Sequence, residues 1–198
     1  MFLYNTTGKK MSKSLLLEKL YEPYRKCTSH PLQFPGSTNI VLGHGNPDAT
    51  FMIIGEAPGQ EEDEQGIPFV GRSGRLLTKV LTSLDIHRQD IFITNVVKYR
   101  PPCNRKPTKK EIALWTDLLL FKEINIIKPK VICTLGSSAV AFLLKQQTIK
   151  MSELRGKPIR SGKLIIFPTY HPAYILRNIN KLEEFTQDIK NAYSISKQ

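Results

Sequence analysis

Five short apolar runs, Ile40–Leu42, Phe51–Ile54, Ile91–Val96, Val131–Leu135 and Leu164–Pro168, punctuate this chain, and helical patterns fall between and around them. Runs of this length read as buried strands, and their alternation with helices calls for a mainly parallel sheet covered on both faces, an α/β fold of the three-layer α/β/α sandwich type. Ser12 or Ser14 caps a helix to about Lys26, with Leu15, Leu16, Leu20 and Tyr24 on one face. Further helices are predicted from about Arg75 to Leu84, from a Thr108 cap to about Ile127, from Ser137 to Leu144 and over about 181–195. A turn is predicted from Gly43 to Asp48. The 198 residues read as one domain, with a helical arm at 11–26 and a core at about 41–178, large enough to bury its own core without disulfides.

In such a sheet, ligands bind beyond the carboxyl ends of the strands. Three strand ends offer chemistry there: Glu56 after the second run, Asn95 at the end of the third and His171 after the last. Around Glu56 lies Ile54-Gly55-Glu56-Ala57-Pro58-Gly59-Gln60-Glu61-Glu62-Asp63, read as an acidic, tightly turning loop. Gly55 and Gly59 permit unusual backbone conformations and close approaches, and Pro58 stiffens the turn. A second glycine-rich stretch, Gly66 to Gly74, brings Phe69 and Ser73 to the same region, so the two loops suggest a pocket for a small planar ligand.

The charge narrows the partner. Twenty-nine Lys and Arg against 17 Asp and Glu give a net charge of +12, the footprint of a nucleic-acid binder or of a solvated basic surface. Three scattered cysteines make no disulfide framework and fit a reducing compartment. The longest early apolar stretch, Leu15–Leu17, is far short of a signal segment, and no run approaches the roughly 18 apolar residues of a membrane span. A soluble, intracellular protein with no membrane partner is expected, cytoplasmic in a bacterial setting.

Three stretches, GEAPGQEEDEQGIPFVGRSGRLL, ITNVVKYRPPCNRKPTKKE and PTYHPAYILRN, in this order and spacing, resemble the family 4 uracil-DNA glycosylases over roughly Val41 to Asn178. The resemblance implies a monomeric DNA repair enzyme that flips uracil out of DNA and hydrolyses its N-glycosidic bond, leaving an abasic site. It makes Phe69 the residue that stacks on the base. It makes Asn95 the base-reading amide, since one Asn presents both the acceptor and the donor that the N3–H and O4 edge of uracil requires, whereas cytosine presents the opposite pattern. His171 is then placed to donate to uracil O2, and backbone amides near Gly55 to Ala57 add donors to the leaving base. Glu56 stabilises the sugar cation or orients water, with Glu62 and Asp63 as secondary acidic candidates beside their plainer reading as a solvated acidic loop. Relatives with a different first motif place a water-positioning aspartate near Ala57. The stretch His171 to Arg177 resembles a DNA-inserting loop, in which Tyr174 or Leu176 wedges into the base stack while Arg177 and Ser73 bind flanking phosphates.

Four cysteines holding a four-iron four-sulfur cluster are typical of that family, and this chain departs from the pattern. Cys27 is kept, but His30, Tyr99 and Trp115 stand at the other three positions. Such clusters need thiolates, so no cofactor is expected and an aromatic cluster is expected to pack the vacated region. A zinc set of Cys27, His30 and Cys103 is the lesser alternative, and Cys133 reads as a small core residue. Two other functional readings are a noncatalytic DNA-binding scaffold that keeps the fold, and a metal-dependent hydrolase built on Glu61, Glu62, Asp63 and Glu64. Intact Asn95 and His171 argue against the first, and the aromatic and glycine motifs argue against the second. No protein partner is indicated.

Overall fold

The computed structural model of the chain describes residues 11–26, 31–144 and 149–198. Helix α1 (Lys13–Arg25) is capped by Ser12, whose side chain accepts from the Leu15 N–H at 3.2 Å. Its buried face is Leu16, Leu17 and Tyr21, while Leu15 is exposed. The predicted stripe is therefore rotated by about one residue, because both Leu16 and Leu17 find partners in the core.

Strand β1 (His44–Gly45) is followed by β2 (Phe51–Gly55), helices α2 (Gln60–Gln65) and α3 (Arg72–Ser83), and β3 (Phe92–Asn95). Next come α4 (Lys109–Trp115), a π-helical stretch (Thr116–Leu120), α5 (Phe121–Ile127), β4 (Val131–Leu135) and α6 (Ser137–Leu143). The chain closes with α7 (Met151–Leu154), β5 (Ile159–Ser161), β6 (Leu164–Thr169), α8 (Pro172–Ile175) and α9 (Leu182–Lys197). Among the described residues, six strands form one sheet in the order β1-β3-β2-β4-β6-β5; β3, β2, β4 and β6 run parallel, and β1 and β5 are antiparallel edges.

Alternation along each strand sends side chains to opposite faces. Phe51 and Ile53 of β2 join Val131, Cys133 and Leu135 of β4 in a core with α3 and α9, while Met52, Ile54 and Ile132 face a second core with α1, α4 and α5. The two cores on one sheet are the predicted three layers. Cys133 lies wholly inside, and burial pushes its thiol up, as suits a core residue.

Some predicted elements are corrected. Ile40–Leu42 forms no strand; Val41 and Leu42 are buried but unladdered, apart from the Val41 N–H donating to the Lys98 carbonyl at 2.8 Å. The short edge strand lies instead at His44–Gly45, inside the predicted turn, because an apolar run marks burial and not pairing. The acidic loop is half helix, α2, and α3 begins at Arg72, three residues earlier than predicted. The β5 hairpin, turning at Gly162, was invisible because Ile159-Arg160-Ser161 is a polar edge strand.

Candidate active site

The parallel register sets Gly55 of β2 beside Asn95 of β3. Two further bonds, from the Val96 N–H to the Gly55 carbonyl and from the Val97 N–H to the Glu56 carbonyl, both at 3.0 Å, continue the pairing beyond the strand ends. Glu56, Asn95 and His171 thereby line one cleft of about 1110 Å³ at the carboxyl edge of the sheet, together with Phe69, Ala57, Ser73, Tyr174 and Arg177. That volume exceeds the roughly 300–1,000 Å³ usual for a single small ligand. Leu176 stands outside the lining, exposed beside Tyr174.

At the floor, Asn95 is only 2 % exposed, and its Oδ1 is an acceptor with no partner among the described residues. Buried acceptors are almost always satisfied, so an orphan at the base of a cleft marks a ligand position. Gly55 explains the close fit: neither Gly55 nor Gly59 has a positive φ, and a side-chain carbon on Gly55 would sit 2.4 Å from both Asn95 Oδ1 and Phe69 Cζ. Close approach, not a left-handed backbone, is the reason for this glycine.

Phe69 does adopt a left-handed backbone, φ 55°, a strained state for a residue with a side chain. Arg88 clamps it, donating to the Phe69 carbonyl at 2.9 Å, the Pro68 carbonyl at 2.8 Å and Thr78 Oγ1 at 3.0 Å. Gly74 lets α3 abut the same backbone, where any side-chain carbon would lie 2.0 Å from the Phe69 carbonyl carbon. The Phe69 ring faces His171 at 6.0 Å between centroids, tilted by 38°.

The Ala173 N–H donates to His171 Nδ1 at 3.1 Å. With Nδ1 accepting, the imidazole proton of the neutral ring belongs on Nε2. Burial, aided by the nearby Arg177 charge, lowers the imidazole to about 4. His171 is therefore a neutral Nε2–H donor at physiological pH.

Glu56 is half-buried, and its Oε2 accepts from Ser138 Oγ at the start of α6. Glu62 and Asp63 have other duties. Glu62, 8 % exposed, accepts from the backbone N–H groups of Gly71 at 2.7 Å, Val70 at 2.9 Å and Gly59 at 3.1 Å, stapling the two glycine-rich stretches together. Asp63 accepts from the Thr38 and Asn39 N–H groups. The solvated-loop reading of these two is corrected: both are buried braces. Glu61 pairs with Arg75 and Glu64 with Gln60, so the four acids of the metal-hydrolase reading point to four different partners.

Sequence reasoning missed Arg88, Ser138 and a buried ion pair beneath Asn95. Lys98 Nζ donates to Thr94 Oγ1, to the Asn95 carbonyl at 2.8 Å and to Glu123 Oε2 at 2.7 Å, while Tyr21 donates to Glu123 Oε1 at 2.6 Å. Both charged side chains are without exposure. A lysine inside the apolar Val96-Val97-Lys98-Tyr99 was its visible signal; nothing in the spacing marks Arg88.

The residues present do not fit an iron-sulfur cluster. Tyr99 and Trp115, at two of the vacated positions, are buried and packed edge to face at 5.6 Å, with Tyr24 6.3 Å from Trp115. Neither side chain is a cluster ligand. Cys27 and His30 lie outside the described residues, Cys103 is exposed, and no group of three or more His, Cys, Asp or Glu able to hold a metal occurs among the described residues. Among them, too, no helix is long and apolar enough to cross a membrane.

Comparison with known proteins agrees with the geometry. The sequence pattern of the Uracil DNA glycosylase superfamily matches residues 42–193. The chain is 45% identical over 187 residues to the type-4 uracil-DNA glycosylase of Thermotoga maritima, covering 92% of this chain and 96% of that protein. It is 43% identical to the type-4 uracil-DNA glycosylase of Saccharolobus solfataricus, over 90% of this chain and 87% of that protein. It is 42% identical to that of Sulfurisphaera tokodaii, over 88% and 82% respectively.

Proposed function

The chain belongs to the uracil DNA glycosylase superfamily, and from that premise we propose that it flips uracil out of DNA and hydrolyses the N-glycosidic bond, leaving an abasic site. The observation that carries the reading is the orphaned Asn95 acceptor, buried where it and the Phe69 ring both close on Gly55, in the same cleft as a neutral His171. Asn95 takes the N3–H and O4 edge of the base, and Phe69 stacks on its face. As the bond breaks, negative charge gathers on the base, and the His171 Nε2–H stabilises it at O2 without first losing a proton. Backbone amides near Gly55 to Ala57 add to this. Glu56, steadied by Ser138, faces the positive sugar and orients the attacking water. Glu62 and Asp63, committed to backbone N–H groups, hold the loops and take no part in the chemistry.

Extruding the nucleotide costs a few kcal/mol, recovered by stacking, by phosphate contacts from Ser73 and Arg177, and by an apolar wedge. Tyr174 and Leu176, both exposed at the tip, serve as the wedge. Glu56, Phe69, Asn95 and His171 all line one cleft of a single chain, in keeping with a monomer acting wherever the cell keeps its DNA. The single sheet with a core on each face supports a one-domain reading. The buried aromatic packing at Tyr99 and Trp115 supports excision without a metal.

Protein stripped of metal and held in chelator is expected to make uracil-containing DNA alkali-labile at the uracil position. DNA that stays intact despite binding would favour the noncatalytic scaffold, and rescue by added metal would overturn the cofactor-free reading. Gly55→Ala tests the pocket itself. Its new methyl must displace Phe69 or Asn95, so kcat/KM for uracil excision is expected to fall by about 10-fold or more, with only the ~1–3 kcal/mol stability loss of a tight overpacking. Wild-type kcat/KM in a folded Gly55→Ala protein would place the base elsewhere.

A further inference from the structure

Pro101, Asn104, Arg105 and Lys106, from the loop after β3, line the cleft together with Arg72, Ser73 and Arg177. Between Arg100 and Lys110 the chain carries five cations and no carboxylate. Cys103 and Asn104 are consecutive left-handed residues, φ 53° and 54°, and neither is glycine. Strain of this kind persists only where surrounding structure holds it, and it gathers at functional sites. Phe69, at the floor of this cleft, is another such residue.

The holding groups are visible. Arg100 Nε donates to Asn104 Oδ1 at 2.8 Å across the strained pair. Arg105 grips Glu111 with two bonds of 2.7 and 2.9 Å, and Glu111, held down at about 2 by that guanidinium, also accepts from the Thr108 N–H to cap α4. Arg105 further lies over the Phe34 ring at 5.4 Å. Its charge is thus engaged within the protein. Lys106, the next residue, is exposed on the cleft and makes no ion pair among the described residues. One cation is engaged in shaping the loop, and its neighbour is presented to whatever enters.

We propose that the Pro101–Lys106 loop is a second phosphate-binding wall of the cleft, in which Lys106 contacts the DNA backbone and Arg105 with Arg100 hold the loop in its strained shape. The proposal rests on the reading of the cleft as a DNA site and adds to it a contact beyond Ser73, Tyr174, Leu176 and Arg177. The cleft volume supports it, since room beyond one base is needed for the sugar-phosphate chain on either side.

The test measures affinity of the full chain for uracil-free duplex DNA as salt is raised, which does not depend on excision. Each phosphate contact contributes about 0.9 to the slope of log K against log salt. Lys106→Ala is expected to reduce the slope by about 0.9, narrowing the affinity loss between about 50 and 200 mM salt by roughly 3-fold. Lys106→Arg is expected to keep the wild-type slope. Lys163→Ala, an exposed cation at the other end of β6, is the control and is expected to change nothing. A Lys106→Ala slope equal to wild type, or an equal change in Lys163→Ala, would overturn the assignment. The underlying reading fails separately: a slope change without excision of uracil keeps the wall and rejects the glycosylase, whereas excision with an unchanged slope rejects only the wall.

Discussion

Replacing His171 by Ala is expected to lower kcat for uracil excision by about 10²–10³, the usual effect of removing one donor aimed at developing negative charge, with little change in DNA affinity. The geometry sets this expectation. The Ala173 N–H occupies Nδ1 and burial disfavours a second proton, so the ring reaches the base as a preorganised neutral donor. Two pH measurements follow. The wild-type kcat/KM should show no acid limb near the ordinary histidine value of 6.5, because the folded ring protonates only near about 4. Stability should also respond. The unfolded chain binds a proton near 6.5 and the folded chain near about 4, so the unfolded state holds more protons between those values. The contribution of His171 to stability is complete above pH 6.5 and is lost as pH falls to about 4. That loss is at most about 3 kcal/mol, since one edge of the half-buried side chain meets the cleft. His171→Ala should flatten this pH window. Equal losses in kcat and DNA binding, or an unchanged window, would remove His171 from the role given to it.

Lys98→Met carries the second large effect, on stability. The substitution fits the cavity but leaves the Glu123 carboxylate buried without its cation, hydrogen-bonded by Tyr21 and Thr94, and removes the donor to the Asn95 carbonyl. Breaking one side of a buried pair costs about 3–5 kcal/mol, which at this chain length lowers Tm by roughly 10 °C. Burial already pulls the Lys98 ammonium down, with Glu123 opposing that shift. Replacing both partners, Lys98→Met with Glu123→Leu, should recover much of the loss, because an apolar pair has no charge to desolvate. A thermal melt of the two variants checks this. A single variant as stable as wild type would show that the pair contributes nothing to holding the floor beneath Asn95.

These two residues divide between what could and could not be read in advance. His171, Asn95 and Glu56 sit at or just after the ends of apolar strands and Phe69 in a glycine-rich stretch, all in motifs of recognisable spacing, and all four line the cleft. Lys98 was visible only as an oddity in an apolar run; its partner Glu123 lies 25 residues on, and no local pattern joins them. The acidic stretch shows the same limit in reverse. Its carboxylates were legible as a group, but what separates Glu62 and Asp63 from Glu56 is the partners the fold brings to them, backbone N–H groups for the first two and the Ser138 hydroxyl for Glu56.

The sequence by itself determined the alternation of strands and helices, the two-faced sheet, and the identities of residues at the strand ends, because periodicity and turn chemistry act over a few residues. It also determined the absence of three of the four cluster cysteines, a matter of residue type alone. Only the tertiary structure decided which nitrogen of His171 carries its proton, which carboxylates are braces, where Arg88 clamps Phe69 and why Gly55 must lack a side chain. Each of those depends on atoms brought together from distant positions, and the distances that decide them exist only once the sheet register is set.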